Sequence, residues 1–307
     1  MLTADELRTD RADPERLRRA GHPRLEQPYF AEYLELLEAG GAGLDPALSY
    51  ERYFLAPDEP DPALERYLSR LIGHAASAGQ RPVLCFVRSP LRALWMRRRL
   101  GGLHLAQIRN PRDQWGSFLA QGGGRGSYFS AGMLLIARRL HRRFPRLFSH
   151  LGGLPGPRVR AFPEIRVNAR ARSISIAGQP IGREREYAVF TLLWLASALQ
   201  SLSAAEIVVD CDRLSADGGA RARAEAALAA QGLALDLSDV APRRHAELPL
   251  EQPRLRTIEA LTVARLAGAE ARGLVVADAA RVARALEQVA PESRALLEAA
   301  LAALASR

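Results

Sequence analysis

The residue types best suited to chemistry lie in the segment LHLAQIRNPRDQWGSF. Its apolar start predicts a strand over 103–108, and Arg109 follows that strand directly, before an Asn-Pro pair that suits the cap and first position of a helix. Ser117 comes eight residues after Arg109, on the second turn of this helix. A guanidinium, a hydroxyl and the free N–H groups of a helix N-terminus are suited to bind phosphate. The alternative is a plain βα turn with a satisfied cap.

A second pair of candidate groups lies just upstream, in RPVLCFVRSPLRALW. The continuous apolar run predicts a buried parallel strand over 82–88, with Arg88 at its carboxyl end. Arg92 follows four residues later, on the first turn of the next helix. Because functional groups in parallel sheets gather at the carboxyl ends of the strands, both arginines are candidates to bind an anion such as a sulfonate. Alternatively, Arg92 pairs with a surface carboxylate.

Together these segments resemble the sulfotransferase family. In that family a strand ends in Arg-(Asn/Asp)-Pro-(Arg/Lys)-(Asp/Glu), a serine follows eight residues after the arginine, and some bacterial members precede this with a strand ending in Arg-Ser. EIVVDCDRL is similar to a late core strand of the family, so the resemblance covers roughly residues 27–235. It implies that Arg109 and Ser117 bind the 3′-phosphate of 3′-phosphoadenosine 5′-phosphosulfate, with Arg88 and Arg92 near the sulfonate or the acceptor.

The sequence departs from the family in its catalytic parts. The phosphosulfate-binding loop, of the type Pro-Lys-(Ser/Thr)-Gly-Thr-(Thr/Ser), has no counterpart in residues 1–80. Where many members carry a catalytic histidine, this chain has Arg88, which cannot act as a base at neutral pH. His22, Glu26 and Glu32 are the other candidates for a general base, although His22 is equally explained as a loop histidine.

The alternation of strands and helices predicts an α/β fold. We expect a three-layer sandwich with a mainly parallel sheet, of the P-loop NTPase or sulfotransferase-like type, with strands near 82–88, 103–108 and 205–211. The expected domains are an α/β domain over 1–240, in which 1–26 is an irregular lead-in, and a C-terminal helical extension over 241–307. Alternating residues within 158–183 predict a hairpin, and GGGRGS indicates a flexible connector.

The composition narrows the classes of function. The net charge is +9, and all 43 basic residues are arginine. Without lysine, the chain cannot form the lysine contacts of kinases and P-loop ATPases or a lysine Schiff base. Its polar start and the lack of a long apolar run predict a cytoplasmic protein without a membrane span. Two cysteines, both in apolar runs, indicate buried thiols and neither a disulfide nor a metal site.

Three functions are consistent with these features. The first is an enzyme that transfers a sulfuryl group to a hydroxyl of a small molecule or glycan; it requires a phosphosulfate loop from outside this chain or a replacement for it. The second is a degenerate or truncated sulfotransferase-like domain that acts as a binding or accessory module. The third is a basic nucleic-acid-binding protein, which an aromatic content of 6% and the lack of a stacking motif disfavour.

Overall fold

The structure is a computed structural model that describes most of the chain. The described residues are 33–38, 53–85, 89–120, 128–149, 182–238, 240 and 248–306, with the single residues 5, 8 and 48. The chain divides into two compact units. Unit 1 comprises Met1–Arg52 and Pro60–Val87, and unit 2 comprises Tyr53–Glu59 and Arg88–Arg307.

The described part of unit 1 contains helices α1 (Tyr33–Glu38) and α2 (Pro62–Ser77). Asp61 starts α2, because its carboxylate accepts the Leu64 N–H at 3.1 Å and a proline follows in the first helical position. The hydroxyls of Tyr33 and Tyr67 lie 3.3 Å apart and join the two helices.

The strand predicted over 82–88 is wrong for the residues that the structure describes. Residues 81–85 form no strand, Val83 is 79% exposed, and Cys85 is also exposed. The end of the segment, 86–88, lies outside the described residues. An apolar run forms a buried strand only if a neighbouring strand pairs with it. The described sheet consists of two strands, and residues 81–85 are not among them.

Unit 2 contains a parallel two-stranded sheet. After a 3₁₀ turn (Pro90–Arg92) come α3 (Ala93–Leu100), β1 (Leu105–Ile108), α4 (Pro111–Ala120), α5 (Tyr128–Arg143), α6 (Arg183–Ala204) and β2 (Ile207–Asp210). β1 and β2 pair in register from Leu105 opposite Ile207 to Ile108 opposite Asp210. The parallel pairing of these two strands is thus confirmed. The described residues are mostly helical, with which an α/β class is compatible.

Helix α6 is the centre of the core of unit 2. Tyr187, Leu192, Leu195 and Leu199 are fully buried, and the helix packs against α3, α4, α5 and β1. It is long and apolar enough to cross a membrane by length and composition, but 83% of its apolar window is buried inside the protein. That burial is typical of a core helix, whose side chains are apolar all round.

The C-terminal helices complete the same core. They are α7 (Cys211–Ala216), α8 (Gly218–Ala229), α9 (Gln252–Arg265), α10 (Ala269–Leu274), α11 (Ala279–Leu286) and α12 (Pro291–Ala305). Asp210 ends β2 and caps α7, since its carboxylate accepts the N–H groups of Asp212 and Arg213 at 3.0 and 2.9 Å. Buried residues of α9–α12 share one hydrophobic cluster with α6 and β1. The predicted domain division after residue 240 stays a prediction, although both sides of it contribute to this cluster.

Candidate functional site

The turn between β1 and α4 is a capped βα turn, as its sequence predicts. The side-chain oxygen of Asn110 accepts the Arg112 N–H at 2.9 Å. The proline between them has no N–H, and none is needed at the first helical position. Trp194 of α6 donates its indole N–H to the Arg109 carbonyl at 3.1 Å. This hydrogen bond joins the core helix α6 to the backbone of the residue that follows β1.

Arg112 is held by the C-terminal helix α9. Its guanidinium donates two hydrogen bonds to Glu259, at 2.8 and 2.6 Å, and a third to the Gln252 side chain at 2.8 Å. Tyr187 of α6 donates its hydroxyl to the same Glu259 carboxylate at 2.6 Å. The bonds to Glu259 raise the pKa of Arg112, and burial together with the Glu259 charge raises the pKa of Tyr187. Both groups thus stay protonated and continue to donate.

Carboxylates also hold Asn110. Asp212 accepts the Asn110 backbone N–H, and Glu292 accepts its side-chain N–H at 2.7 Å. Burial raises the pKa of Asp212, and the charges of Asp210 and Asp113 add to this, against the opposing effect of the Asn110 N–H. The carboxyl edge of the sheet is therefore acidic around a turn that the sequence predicts to bind an anion.

Arg109 and Ser117 differ from their neighbours in the motif. Both are half-buried, and neither side chain makes a hydrogen bond or ion pair within the described residues. The positive charge of Arg109 lowers the pKa of Asp212, although burial has the larger, opposite effect. Ser117 lies about 9 Å along α4 from its first residue and about 200° around the helix from the fully buried Trp115. It therefore faces away from the core.

The structure places Arg92 inside the protein. Its residue is 3% exposed, and its Nη2 donates to the Ser89 hydroxyl at 2.6 Å. Arg92 is therefore not at the surface, where the alternative placed its ion pair. Its predicted role in binding an anion stays a prediction, and in this conformation the guanidinium does not reach solvent.

Several other predicted features lie outside the described residues. Arg88, His22, Glu26 and Glu32 are among them. The GGGRGS connector and almost all of the predicted hairpin are also outside. The roles of these residues stay predictions.

The residues that hold the turn were not found from the sequence. Glu259 and Tyr187 lie 147 and 72 residues from their partners Arg112 and Glu259, and a glutamate on an amphipathic helix looks like a surface residue. Asp212 had a usable signal, because it follows the acid that ends β2, at the same edge as Arg109. Carboxylates at that position would have indicated partners for the turn.

The fit of the implied cofactor is uneven. Arg109 and Ser117 are of the right chemical types for a 3′-phosphate, and their described surroundings leave their polar atoms available for it. The family's binding group for the 5′-phosphosulfate has no equivalent here, because the 307 residues contain no lysine to contact it. The described residues also contain no group of three or more His, Cys, Asp or Glu side chains placed to hold a metal ion.

Comparisons with models of protein families, with curated proteins and with solved structures found no match. The resemblance to sulfotransferases therefore rests on the residues of this chain. It is concentrated in the turn after β1 and in the serine of α4.

Proposed function

We propose that this chain is a sulfotransferase-like protein whose β1–α4 turn binds the 3′-phosphate of 3′-phosphoadenosine 5′-phosphosulfate. One observation carries the proposal: the polar groups of the turn fall into two sets. Asn110 and Arg112 bond to carboxylates of the protein, whereas the side chains of Arg109 and Ser117 make no hydrogen bond within the described residues. A guanidinium without a hydrogen bond at the carboxyl edge of a parallel sheet, and a hydroxyl without one on the following helix, are suited to bind an anionic ligand.

The finer fold belongs to the same proposal. We place β1 and β2 in a larger, mainly parallel sheet of a three-layer sandwich of the P-loop NTPase or sulfotransferase-like type. The parallel pairing and the long helical crossover between the strands support it. So does the burial of every residue of β2, because a strand covered on both faces is typical of such sheets.

The proposed reaction is transfer of the sulfuryl group to a hydroxyl of a small molecule or glycan, in the cytoplasm. The acceptor oxygen forms a bond to sulfur, the bond from sulfur to the bridging phosphate oxygen breaks, and the acceptor proton passes to a base. His22, Glu26 and Glu32 stay the candidates for that base. Arg88 and Arg92 stay the candidates to bind near the sulfonate. The charge on the leaving oxygen needs a cation, which in this chain can only be arginine or histidine.

A second candidate function is nucleotide binding without transfer, as an accessory module. It is favoured by the carboxylates of Asp212 and Glu292 at the turn and by the lack of lysine. Negative charges near the site oppose the build-up of further negative charge during transfer. They oppose binding of a single phosphate less, because binding adds no further negative charge during a reaction and the Arg109 side chain makes no hydrogen bond within the described residues.

The test compares two nucleotides that differ only in the 3′-phosphate. Calorimetric titration with 3′-phosphoadenosine 5′-phosphate and with adenosine 5′-phosphate should give at least about tenfold tighter binding of the former, the effect of a charge-assisted hydrogen bond. Equal affinities would refute the 3′-phosphate site. If the preference is present, radiolabelled 3′-phosphoadenosine 5′-phosphosulfate with a set of hydroxyl acceptors distinguishes the enzyme from the binding module.

A further inference from the structure

We infer that the C-terminal helices are part of the nucleotide site, and that Arg112 and Glu259 position Arg109 without touching the ligand. This inference rests on the proposed function for the identity of the ligand. It assigns a role to residues 252–305, a region with no counterpart in the resemblance to sulfotransferases.

The first step of the inference is that the turn has few supports of its own. Between β1 and α4 there are only two residues, Arg109 and Asn110. The bonds described within this turn are the cap, in which the Arg112 N–H donates to the Asn110 side-chain oxygen, and the first helical bond, from the Gln114 N–H to the Asn110 carbonyl. The bonds that hold the turn from outside come from segments 85 or more residues away in sequence.

The second step concerns what those distant segments are. Two of them are C-terminal helices: α9 supplies Glu259 and Gln252 to Arg112, and the first turn of α12 supplies Glu292 to Asn110. The contact to Glu259 is bidentate, which fixes the plane of the guanidinium as well as its position. Tyr187 of α6 also holds the Glu259 carboxylate, because its hydroxyl donates to the oxygen that accepts from the Arg112 Nε.

The third step links the bonded pair Arg112 and Glu259, called the clamp below, to Arg109, which is proposed to bind the phosphate. Arg112 is three residues from Arg109, with a proline between them that restricts the backbone. A shift of Arg112 therefore moves the chain from which the Arg109 side chain extends. A displacement of about 1 Å at a contact group is enough to weaken its interaction greatly. Arg112 and Glu259 are thus positioning residues, and the pair acts through Arg109.

The experiment uses Glu259→Gln, which removes the charge but keeps the shape, in the full chain. Glu298→Gln is the matched control, because it makes the same chemical change on an exposed residue of α12 whose side chain has no hydrogen bond or ion pair among the described residues. Tyr187→Phe is a milder variant, for use if Glu259→Gln does not fold. Each protein is first checked for a native circular dichroism spectrum.

Two measurements are made on each variant. Hydrogen exchange of the peptide that covers 105–115 should be at least about tenfold faster in Glu259→Gln, and unchanged in the control. The ratio of affinities for 3′-phosphoadenosine 5′-phosphate over adenosine 5′-phosphate should fall by about tenfold or more. A merely structural role would lower both affinities together and leave their ratio unchanged.

Unchanged exchange at 105–115 in Glu259→Gln and Tyr187→Phe would overturn the inference, whatever the nucleotide results. Faster exchange with an unchanged affinity ratio would also overturn it, because the clamp would then hold the turn without affecting the site. If the wild type itself has no preference for the 3′-phosphate, the proposed function fails, and with it the assigned role. The exchange result would then report only that the clamp supports the turn.

Discussion

The bond between Arg112 and Glu259 should make a large contribution to the stability of unit 2. We expect Arg112→Ala and Glu259→Ala each to destabilise the protein, and the double variant to be much less destabilised than the sum of the two. A double-mutant cycle isolates this interaction from the other contacts that each side chain makes.

The magnitude follows from the burial of the pair. The side chains of Arg112 and Glu259 are 22% and 8% exposed, and two hydrogen bonds join them. Two unit charges about 4 Å apart attract by about 4 kcal/mol in surroundings of intermediate polarity. Removing one member of a buried pair costs about 3–5 kcal/mol, because the other charge remains without its partner. We therefore expect a coupling energy of about 2 kcal/mol or more.

The assay is urea unfolding followed by far-ultraviolet circular dichroism, with the slope m required to stay constant across the cycle. Arg254 and Glu184 provide the control pair, since they also join α9 to a neighbouring helix, here α6, but are 52% and 50% exposed. Their coupling should be several-fold smaller than that of the buried pair. A coupling for Arg112 and Glu259 below about 0.5 kcal/mol, the range of exposed pairs, would refute the reasoning.

Two further predictions concern single carboxylates. Asp212→Asn removes a negative charge near Arg109, so the affinity for 3′-phosphoadenosine 5′-phosphate should rise by about 1 kcal/mol, or about fivefold, in calorimetry; an unchanged or weaker affinity would place the phosphate elsewhere. Burial raises the pKa of Glu206, but the His104 N–H and the Arg97 guanidinium outweigh it, so the pKa is lowered. Because a lowered pKa stabilises the fold only where the group is ionised, Glu206→Gln should destabilise the protein near neutral pH. In urea unfolding this difference should disappear as the pH falls through the lowered pKa, and a difference independent of pH would contradict the ion pair.

The parallel pairing of the sheet could be predicted from the sequence, but its extent could not. β1 and β2 lie inside the predicted strands 103–108 and 205–211, because short apolar runs before capped helices are a specific signal. The segment VLCFV is also a short apolar run before a helix, yet its described residues form no strand. An apolar run states only that burial is favourable, whereas a strand also needs a hydrogen-bonded neighbour, which the local sequence does not specify.

The candidate site was predicted in its local part alone. The cap at Asn110 and the outward position of Ser117 follow from helix geometry within a dozen residues. The partners of Arg112 and Asn110 come from α7, α9 and α12, and no periodic pattern connects those helices to the turn. Their carboxylates also gave the edge an acidic character that the net charge of +9 does not suggest.

The central claim is that Arg109 and Ser117 bind a 3′-phosphate. The most direct measurement is calorimetric titration of 3′-phosphoadenosine 5′-phosphate into the wild type, Arg109→Ala and Ser117→Ala. Arg142→Ala serves as the control, since it removes one charge from an exposed arginine of α5 whose side chain has no hydrogen bond or ion pair among the described residues. We predict that Arg109→Ala weakens binding by about 2 kcal/mol and Ser117→Ala by about 1 kcal/mol, with the control unchanged. No binding by the wild type, or equal losses in Arg109→Ala and Arg142→Ala, would contradict the claim.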